Sequence, residues 1–497
     1  MHKTEHVDVL IVGAGISGIG AAVHLQKHCP QRSYLILEGR AAIGGTWDLF
    51  RYPGIRSDSD MYTLGFNFKP WAQGKAIADG AAILDYLHET VAEYALADQL
   101  RLDHKVCSAA WDSSTARWTL TVQHAGEELQ FSCNFLYMCS GYYDFNEGFT
   151  PEFPGREQFA GQFVHPQHWP QGLDYRGKRV VVIGSGATAM TLVPNMAGVA
   201  EEVVMLQRSP TYVVSRPAED RLANRLRRYL PSMLAYQLIR WRNVLLQMFF
   251  FYLARLRPAQ FKRRLIGMVR QELGADYDVA THFTPSYRPW QQRICLVPDS
   301  DLFKQIKSGK ARMVTGQIER FTADGIRLQS GEELPADIIV SATGLKLLLL
   351  GGMQMSVDGQ PVDLADTFGY RGMMFSGVPN FAVAFGYTNA SWTLKADLSG
   401  EFVCRLLNHM QARNKRMVVP QLADPAMEQL PWLDFTSGYV KRAQERLPKQ
   451  GRHLPWRLYQ NYIKDLLLLR FSKLEDGVLQ FSEPSAAHKT TRSAPPT

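Results

Sequence analysis

Two glycine-rich turns carry the chemistry that this 497-residue sequence can most directly support. "VGAGISG" places Gly13, Gly15 and Gly18 between an apolar run and a helical one, and "VIGSGATA" repeats the spacing with Gly184, Gly186 and Ala189. In such a turn the first small residue permits a tight bend. The second lets the backbone approach a pyrophosphate. The third lets helix pack closely on strand, with the helix N-terminus aimed at the phosphates. The charge that follows differs between the two. Glu38 stands 25 residues after Gly13, and Arg208 stands 24 residues after Gly184. A carboxylate there accepts ribose hydroxyls and repels a 2′-phosphate, whereas a guanidinium pairs with one. The first turn therefore suits FAD or NAD and the second NADPH, and the pair suggests FAD plus NADPH. A lone turn of this kind is weak; the flanking strand, helix and charge are what strengthen it.

A chain with both sites could be a disulfide reductase, but that chemistry needs a reactive cysteine pair beside the flavin. Cys29, Cys107, Cys133, Cys139, Cys295 and Cys404 form no CxxC pair and have irregular spacing. They read as reduced core thiols of a cytoplasmic protein, with no disulfide frame and no metal site. The first residues are polar and a strand begins at Val7, so no signal peptide is expected. Electrons from NADPH must then pass to another acceptor, and dioxygen is the obvious one.

The elements that must hold these turns are short apolar runs ending in glycine or polar residues: 7–13, 33–38, 135–141, 179–186, 202–208 and 337–344. Helical patterns follow the first and fourth. The expected fold is α/β, with two doubly wound dinucleotide-binding (Rossmann-like) domains and a helical insertion in the second. The expected boundaries are 1–150 with 376–497 for the FAD domain, 151–215 with 291–375 for the NADP domain, and 216–290 for the insertion. The tail after Glu483 is polar and expected to fray.

"FAGQFVHPQHWP" (159–170) lies between the two turns, too rich in proline and aromatics for a helix and without strand alternation. Phe159, Gly161, His165, Trp169 and Pro170 match, residue for residue, the FxGxxxHxxxWP fingerprint of the Baeyer–Villiger monooxygenases. "GGTWDLFRYPGIRSD" resembles that family's second signature through Gly45, Trp47, Tyr52, Pro53, Gly54 and Asp58, and "SATG" (341–344) resembles its inter-domain strand end. The resemblance spans essentially the whole chain. It is nearest the subgroup of ethionamide-activating and long-chain ketone and alkane oxidation enzymes, through "RYPGIRSDSDMYTLGF", "LQRSPTY", "CLVP" and "GYTNASWTLKAD".

The resemblance implies an FAD- and NADPH-dependent enzyme that inserts one atom of O2 beside a ketone carbonyl to give an ester or lactone. The implied substrates are apolar or long-chain ketones, with sulfoxidation of thio-compounds as a further activity. Such chemistry needs a cation near the oxygen that becomes charged, in a dry pocket. The family's catalytic arginine falls on Arg293 of "PWQQRICLVP", with Asp58 to orient it beside the flavin. Ser17, Thr46, Trp47 and Val106 are implied FAD contacts. Arg56, Ser57, Ser185, Ala187, Thr188 and Ser209 are implied contacts of the nicotinamide nucleotide. Where many relatives have lysine before the arginine, this chain has Gln292, so Arg208 must carry more of the NADPH selectivity. His165 lies on the linker after the crossover near Pro154–Gly155, and reads as a conformational or hydrogen-bonding residue, not a general base. The rival readings are a flavin monooxygenase acting mainly on sulfur or nitrogen, a membrane-associated NAD(P)H:quinone electron carrier, and a redox sensor.

The net charge is +8, and residues 221–270 hold twelve Lys or Arg and no Asp or Glu. The apolar centre 244–254 would span only ~16 Å as a helix against a ~30 Å bilayer core, so it cannot cross a membrane. Two readings stay open: a core helix of the NADP domain's insertion, or a peripheral contact with anionic lipid on the inner face of the membrane. The greasy run between the charges argues against nucleic acid.

Overall fold

The computed structural model describes residues 4–424 and 426–484, so the expected polar tail lies outside the described residues from position 485 onward. The first sheet is built on β1 (Glu5–Val12), followed by α1 (Ile16–His28) and β2 (Tyr34–Leu37). β1 runs parallel to β2, with Leu10 opposite Leu35, and parallel to β3 (Glu127–Met138), with Val7 opposite Cys133. Val9 and Ile11 pack into one apolar cluster and Leu10 and Val12 into another. A strand covered on both faces reads as a continuous apolar run, which is why β1 is legible in the sequence.

Two features of this sheet depart from the expectation. The run expected at 135–141 is only the end of a 12-residue strand. The first half of β3 pairs antiparallel with Arg117–His124, which in turn pairs with Lys105–Asp112; its second half pairs parallel with Phe381–Val383. The chain also returns to this sheet earlier than residue 376. Gln354–Val357 pairs with Ser108–Trp111, so the expected boundary at 375 falls too late. Lys105–Asp112 and Arg117–His124 alternate in burial, a weaker signal than an all-apolar run.

The second sheet is parallel throughout, in the order Ala311–Thr315, β5 (Glu202–Gln207), β4 (Arg179–Ile183), β6 (Ile338–Ser341), Gln162–Val164. The last strand lies within the loop expected to have none. It forms because Val340 offers a partner to Val164 at the sheet edge, a long-range pairing with no local signature.

The insertion is helical, with α2 (Arg221–Tyr229), α3 (Ser232–Leu256) and α4 (Pro258–Leu273). It does not belong to the second domain alone. Val269 of α4 packs in that domain's core, while Tyr236, Ile239 and Val244 of α3 join the core of the first. Arg240, 3% exposed, lies on the same stripe, one turn from Tyr236 and Val244. It donates to the carbonyls of Tyr62 and Gly65, each at 2.8 Å, and pairs with Asp397 of α5 (Trp392–Ala412) at 3.3 Å. Asp397 also meets His24 of α1 at 3.2 Å and accepts from the backbone N–H of Asn67 at 2.9 Å. A buried ion pair thus fastens the insertion to the first domain.

This corrects one part of the sequence reading. Arg240 is consumed in the core and Arg242 is paired with Asp220, so neither charge is free to face a surface. On the opposite face of α3, Leu238, Leu245, Phe249, Tyr252 and Leu256 are exposed, Leu256 to 79%. No helix of the described residues is long and apolar enough to cross a membrane.

Candidate active site

The first glycine-rich turn lies at the C-terminal end of β1, where a parallel sheet opens a crevice for ligands. A Cβ on Gly18 would lie 1.8 Å from the carbonyl oxygen of Gly13, so only glycine lets α1 start this close to the strand. Glu38 closes the turn from β2: its carboxylate accepts the N–H of Ala14 at 2.7 Å and of Arg40 at 3.0 Å. Burial pushes its pKa up, partly offset by these two bonds.

A cavity of about 420 Å³ opens in front of this turn. Of the residues expected at FAD, Gly13, Gly15, Ser17, Glu38, Gly45, Thr46, Trp47, Asp58 and Val106 all line it, while Gly18 is sealed beneath the helix. Of those expected at the nicotinamide nucleotide, Arg56, Ser57, Ala187 and Thr188 line the same cavity. Gly184, Ser185, Gly186, Ala189, Arg208 and Ser209 do not. Gly186, Arg208 and Ser209 are exposed along the C-terminal rim of β4 and β5, and Ala189 is buried under its helix.

The cavity fits a flavin dinucleotide. Gly15 and Gly45 face each other across a gap that a Cβ on Gly45 would close to 3.2 Å, a cradle open only to backbone. The α1 N-terminus has no acidic residue in its first turn, leaving its positive end for phosphate. Ser140 Oγ and Arg56 Nη2 both belong to residues lining the cavity, and both are buried without a hydrogen-bond partner.

Arg293 and Asp58 meet at 2.8 Å. Both also line a second cavity, of about 810 Å³, so the ion pair sits where the two cavities join. Asp58 holds the guanidinium firmly protonated, raising its pKa against the opposing effect of burial. The turn that carries Arg293 holds Trp290 at φ 68°, and Phe251 of α3 packs edge-on against that ring at 5.5 Å. The walls of the second cavity are mainly apolar, with Leu246 and Phe250 of α3, Phe261 and Leu265 of α4, and Ile294. Burial pushes the Cys295 thiol there up to about 12.

Several lining residues were not anticipated. Tyr142 and Tyr143 follow the end of β3, joined OH to OH at 2.8 Å, and burial holds both phenols protonated. Tyr142 stacks on Trp392 at 5.0 Å, and the Trp392 indole donates to Ser17 Oγ at 2.7 Å. The signal for the tyrosines was available: ligands gather beyond the carboxyl ends of parallel strands. Trp392 had no such signal, because it arrives from the other end of the chain. The fold also brings Cys29 to the backbone of Cys404, Sγ to carbonyl at 3.6 Å, but neither lines either cavity.

None of the fingerprint residues lines either of these two cavities. Phe159 packs edge-on to Phe321 at 6.2 Å, and a Cβ on Gly161 would lie 2.5 Å from the Asp337 carbonyl. Trp169 packs against the core of the second sheet, and Pro170 is exposed. His165 follows the edge strand directly. Its Nε2–H donates to the Gly344 carbonyl at 3.2 Å and its Nδ1 accepts from the Gln167 N–H at 3.2 Å. Both nitrogens are engaged, and burial lowers the ring's pKa. Gln167 and His168 donate to the carbonyls of Asp144 and Asn146, clipping this loop to the strand Tyr143–Gly148 that borders the first cavity.

Comparison with known proteins agrees in extent. Residues 76–346 match the profile described as flavin-binding monooxygenase-like, and residues 11–73 match an NAD(P)-binding Rossmann-like domain. The chain is 54% identical over 484 residues to the FAD-containing monooxygenase EthA of Mycobacterium tuberculosis, covering 97% of this chain and 99% of that protein. It is 49% identical over 482 residues to a probable FAD-binding monooxygenase, AlmA, of Acinetobacter baylyi, covering 96% and 97%. Among solved structures, an oxidised steroid monooxygenase bound to NADP aligns at TM-score 0.75 and 22% identity, over 96% of this chain and 100% of that one. An open form of cyclohexanone monooxygenase aligns at 0.69 and 21%, over 84% and 90%. At that identity the structural likeness speaks for the fold.

Proposed function

The chain belongs to the flavin-binding monooxygenase-like family, and from that premise we propose that it is an FAD- and NADPH-dependent Baeyer–Villiger monooxygenase of apolar ketones. In the net reaction one atom of O2 enters the bond beside the carbonyl and the other leaves as water, with NADPH supplying the two electrons and a proton completing the water. The observation that carries the reading is the Asp58–Arg293 pair at the junction of a dinucleotide-shaped cavity and an apolar one.

Bound FAD, reduced by NADPH, supplies the activation of dioxygen. The residues do the rest. Glu38 takes the ribose hydroxyls, while Gly13, Gly15, Ser17, Gly45, Thr46, Trp47 and Val106 hold the remainder of FAD. Arg208 pairs with the 2′-phosphate of NADPH, and Arg56, Ser57, Ala187, Thr188 and the rim from Gly184 to Gly186 with Ser209 hold its other parts. Arg293 faces the ketone oxygen and stabilises the negative charge that grows there. A guanidinium suits this role because it stays protonated, and Asp58 keeps it aimed. The apolar walls of the larger cavity exclude water, which strengthens that interaction. His165, tied to Gly344, couples the linker to the second domain's strand end.

We further propose that the exposed apolar stripe of α3, beside the exposed Arg255, Arg257 and Arg263, rests on anionic membrane surfaces where apolar ketones partition.

The deciding experiment is turnover of a methyl ketone with NADPH under ¹⁸O2. Ester carrying one labelled atom, at a rate matching NADPH oxidation, is expected. NADPH oxidation that proceeds with a quinone in the absence of oxygen, with no ester formed in its presence, overturns the reading.

A further inference from the structure

The mouth of the larger cavity is both apolar and cationic. Leu222, Leu246 and Met268 line it and are 48%, 46% and 36% exposed, so the apolar lining continues out to solvent. Arg216, Arg221 and Arg264 line it as well, all exposed and, among the described residues, without an ion-pair partner. Most acidic residues of the lining are already engaged. Asp58 is paired with Arg293 and Asp220 with Arg242. Asp60 accepts from Asn243 and Gln247, at 2.8 and 3.2 Å, while capping the short helix Met61–Leu64. Asp299 accepts the Ala218 N–H at 3.0 Å. Glu219 and Asp299 are the exposed counter-charges, against three unpaired arginines.

Such a mouth matches an amphiphile. The apolar walls take a hydrocarbon chain. The arginines take a planar anion at its outer end, since guanidinium groups bind carboxylate in paired hydrogen bonds. Arg293, the one arginine of this cavity that also lines the first cavity, lies at the inner end, at the flavin-side junction. We propose that the substrate is a keto acid: an apolar chain whose ketone reaches Arg293 while its carboxylate stays at the mouth, held by Arg216, Arg221 and Arg264. This rests on the monooxygenase reading above and narrows it from apolar ketones to anionic ones.

Two measurements on the FAD-loaded enzyme separate the claims, both without lipid and below the micelle concentration of the probes. The first compares kcat/KM for oxodecanoate and for its methyl ester. The second compares binding of decanoate and decanol, which carry no ketone, by calorimetry. The wild type is expected to favour acid over ester at least about fivefold and to bind decanoate more tightly than decanol, with both preferences falling as salt rises. In Arg216→Gln/Arg264→Gln the acid-to-ester ratio is expected to fall at least about fivefold, with an unchanged melting temperature to show that it folds. Turnover of both substrates with no preference for the acid, or a preference that survives in the variant, overturns the keto-acid inference and leaves the monooxygenase standing. Selective decanoate binding lost in the variant, with no ester from either ketone, supports the anion site and overturns the ketone reaction. No ester and no preference for decanoate overturn both.

Discussion

Replacing Arg240 with methionine removes a cation from the interior while roughly keeping its volume. The guanidinium and the Asp397 carboxylate are each 3% exposed and 3.3 Å apart. At an effective dielectric of about 20 their attraction is on the order of 5 kcal/mol before desolvation is counted. Truncating one partner of such a pair costs about 3–5 kcal/mol, because the other charge stays buried without it. Here Asp397 would keep only His24 and the Asn67 N–H, and the carbonyls of Tyr62 and Gly65 would lose their donor. At the few degrees per kcal/mol usual for domains of this size, Tm should fall by about 6 °C or more. The double variant Arg240→Met/Asp397→Leu removes the stranded charge and should recover a good part of that loss, since an apolar replacement of a whole buried pair is often near neutral. The assay is thermal and urea unfolding followed by release of flavin fluorescence. An Arg240→Met variant that melts within about 2 °C of wild type, or a double variant no more stable than the single, would refute the reasoning and make Arg240 a passive filler.

Arg208→Ala should raise KM for NADPH about tenfold, the loss of one charge-assisted contact, and leave NADH nearly unchanged; equal loss with both cofactors removes Arg208 from the 2′-phosphate. Arg293→Ala should retain FAD while ester formation falls roughly 100-fold or more, with NADPH oxidation diverted to hydrogen peroxide. Ester formation near the wild-type rate would make that arginine structural. Burial lowers the pKa of His165 below its ordinary 6.5, so the folded state favours the neutral ring. The stability it contributes is therefore present above pH 6.5 and lost as the pH falls through its folded value, because the unfolded chain then binds the extra proton. The Tm gap between wild type and the non-titrating His165→Gln should shrink on going from neutral to acidic buffer; a gap that widens contradicts this. In flotation, the protein should rise with anionic but not neutral liposomes, and less so in high salt or as Arg255→Glu/Arg257→Glu. Recovery with the unbound fraction at low salt would exclude the membrane contact.

The features legible from the residues alone were those whose physics is local. A glycine turn between an apolar strand and a helix needs particular small residues at particular offsets, so Gly13, Gly15, Gly18 and the second turn could be read directly, as could the buried parallel strands that carry them. Glu38 and Arg208 could be assigned opposite partners because they follow those turns at nearly equal distances. Asp58 and Arg293 could be paired only through family resemblance, since 235 positions separate them and neither has a local signature. What joined them was the fold, which also swung Trp392 onto Ser17 and set Gln354–Val357 beside Lys105–Asp112. The basic insertion shows the limit most clearly. Its charges look alike in the sequence, yet Arg240 is spent in the first domain's core and Arg242 on Asp220, while Arg216, Arg221 and Arg264 rim a cavity. Helical spacing places a side chain on a stripe, but only the surface that the stripe meets decides whether its charge is buried and paired, lines a cavity, or stays in water.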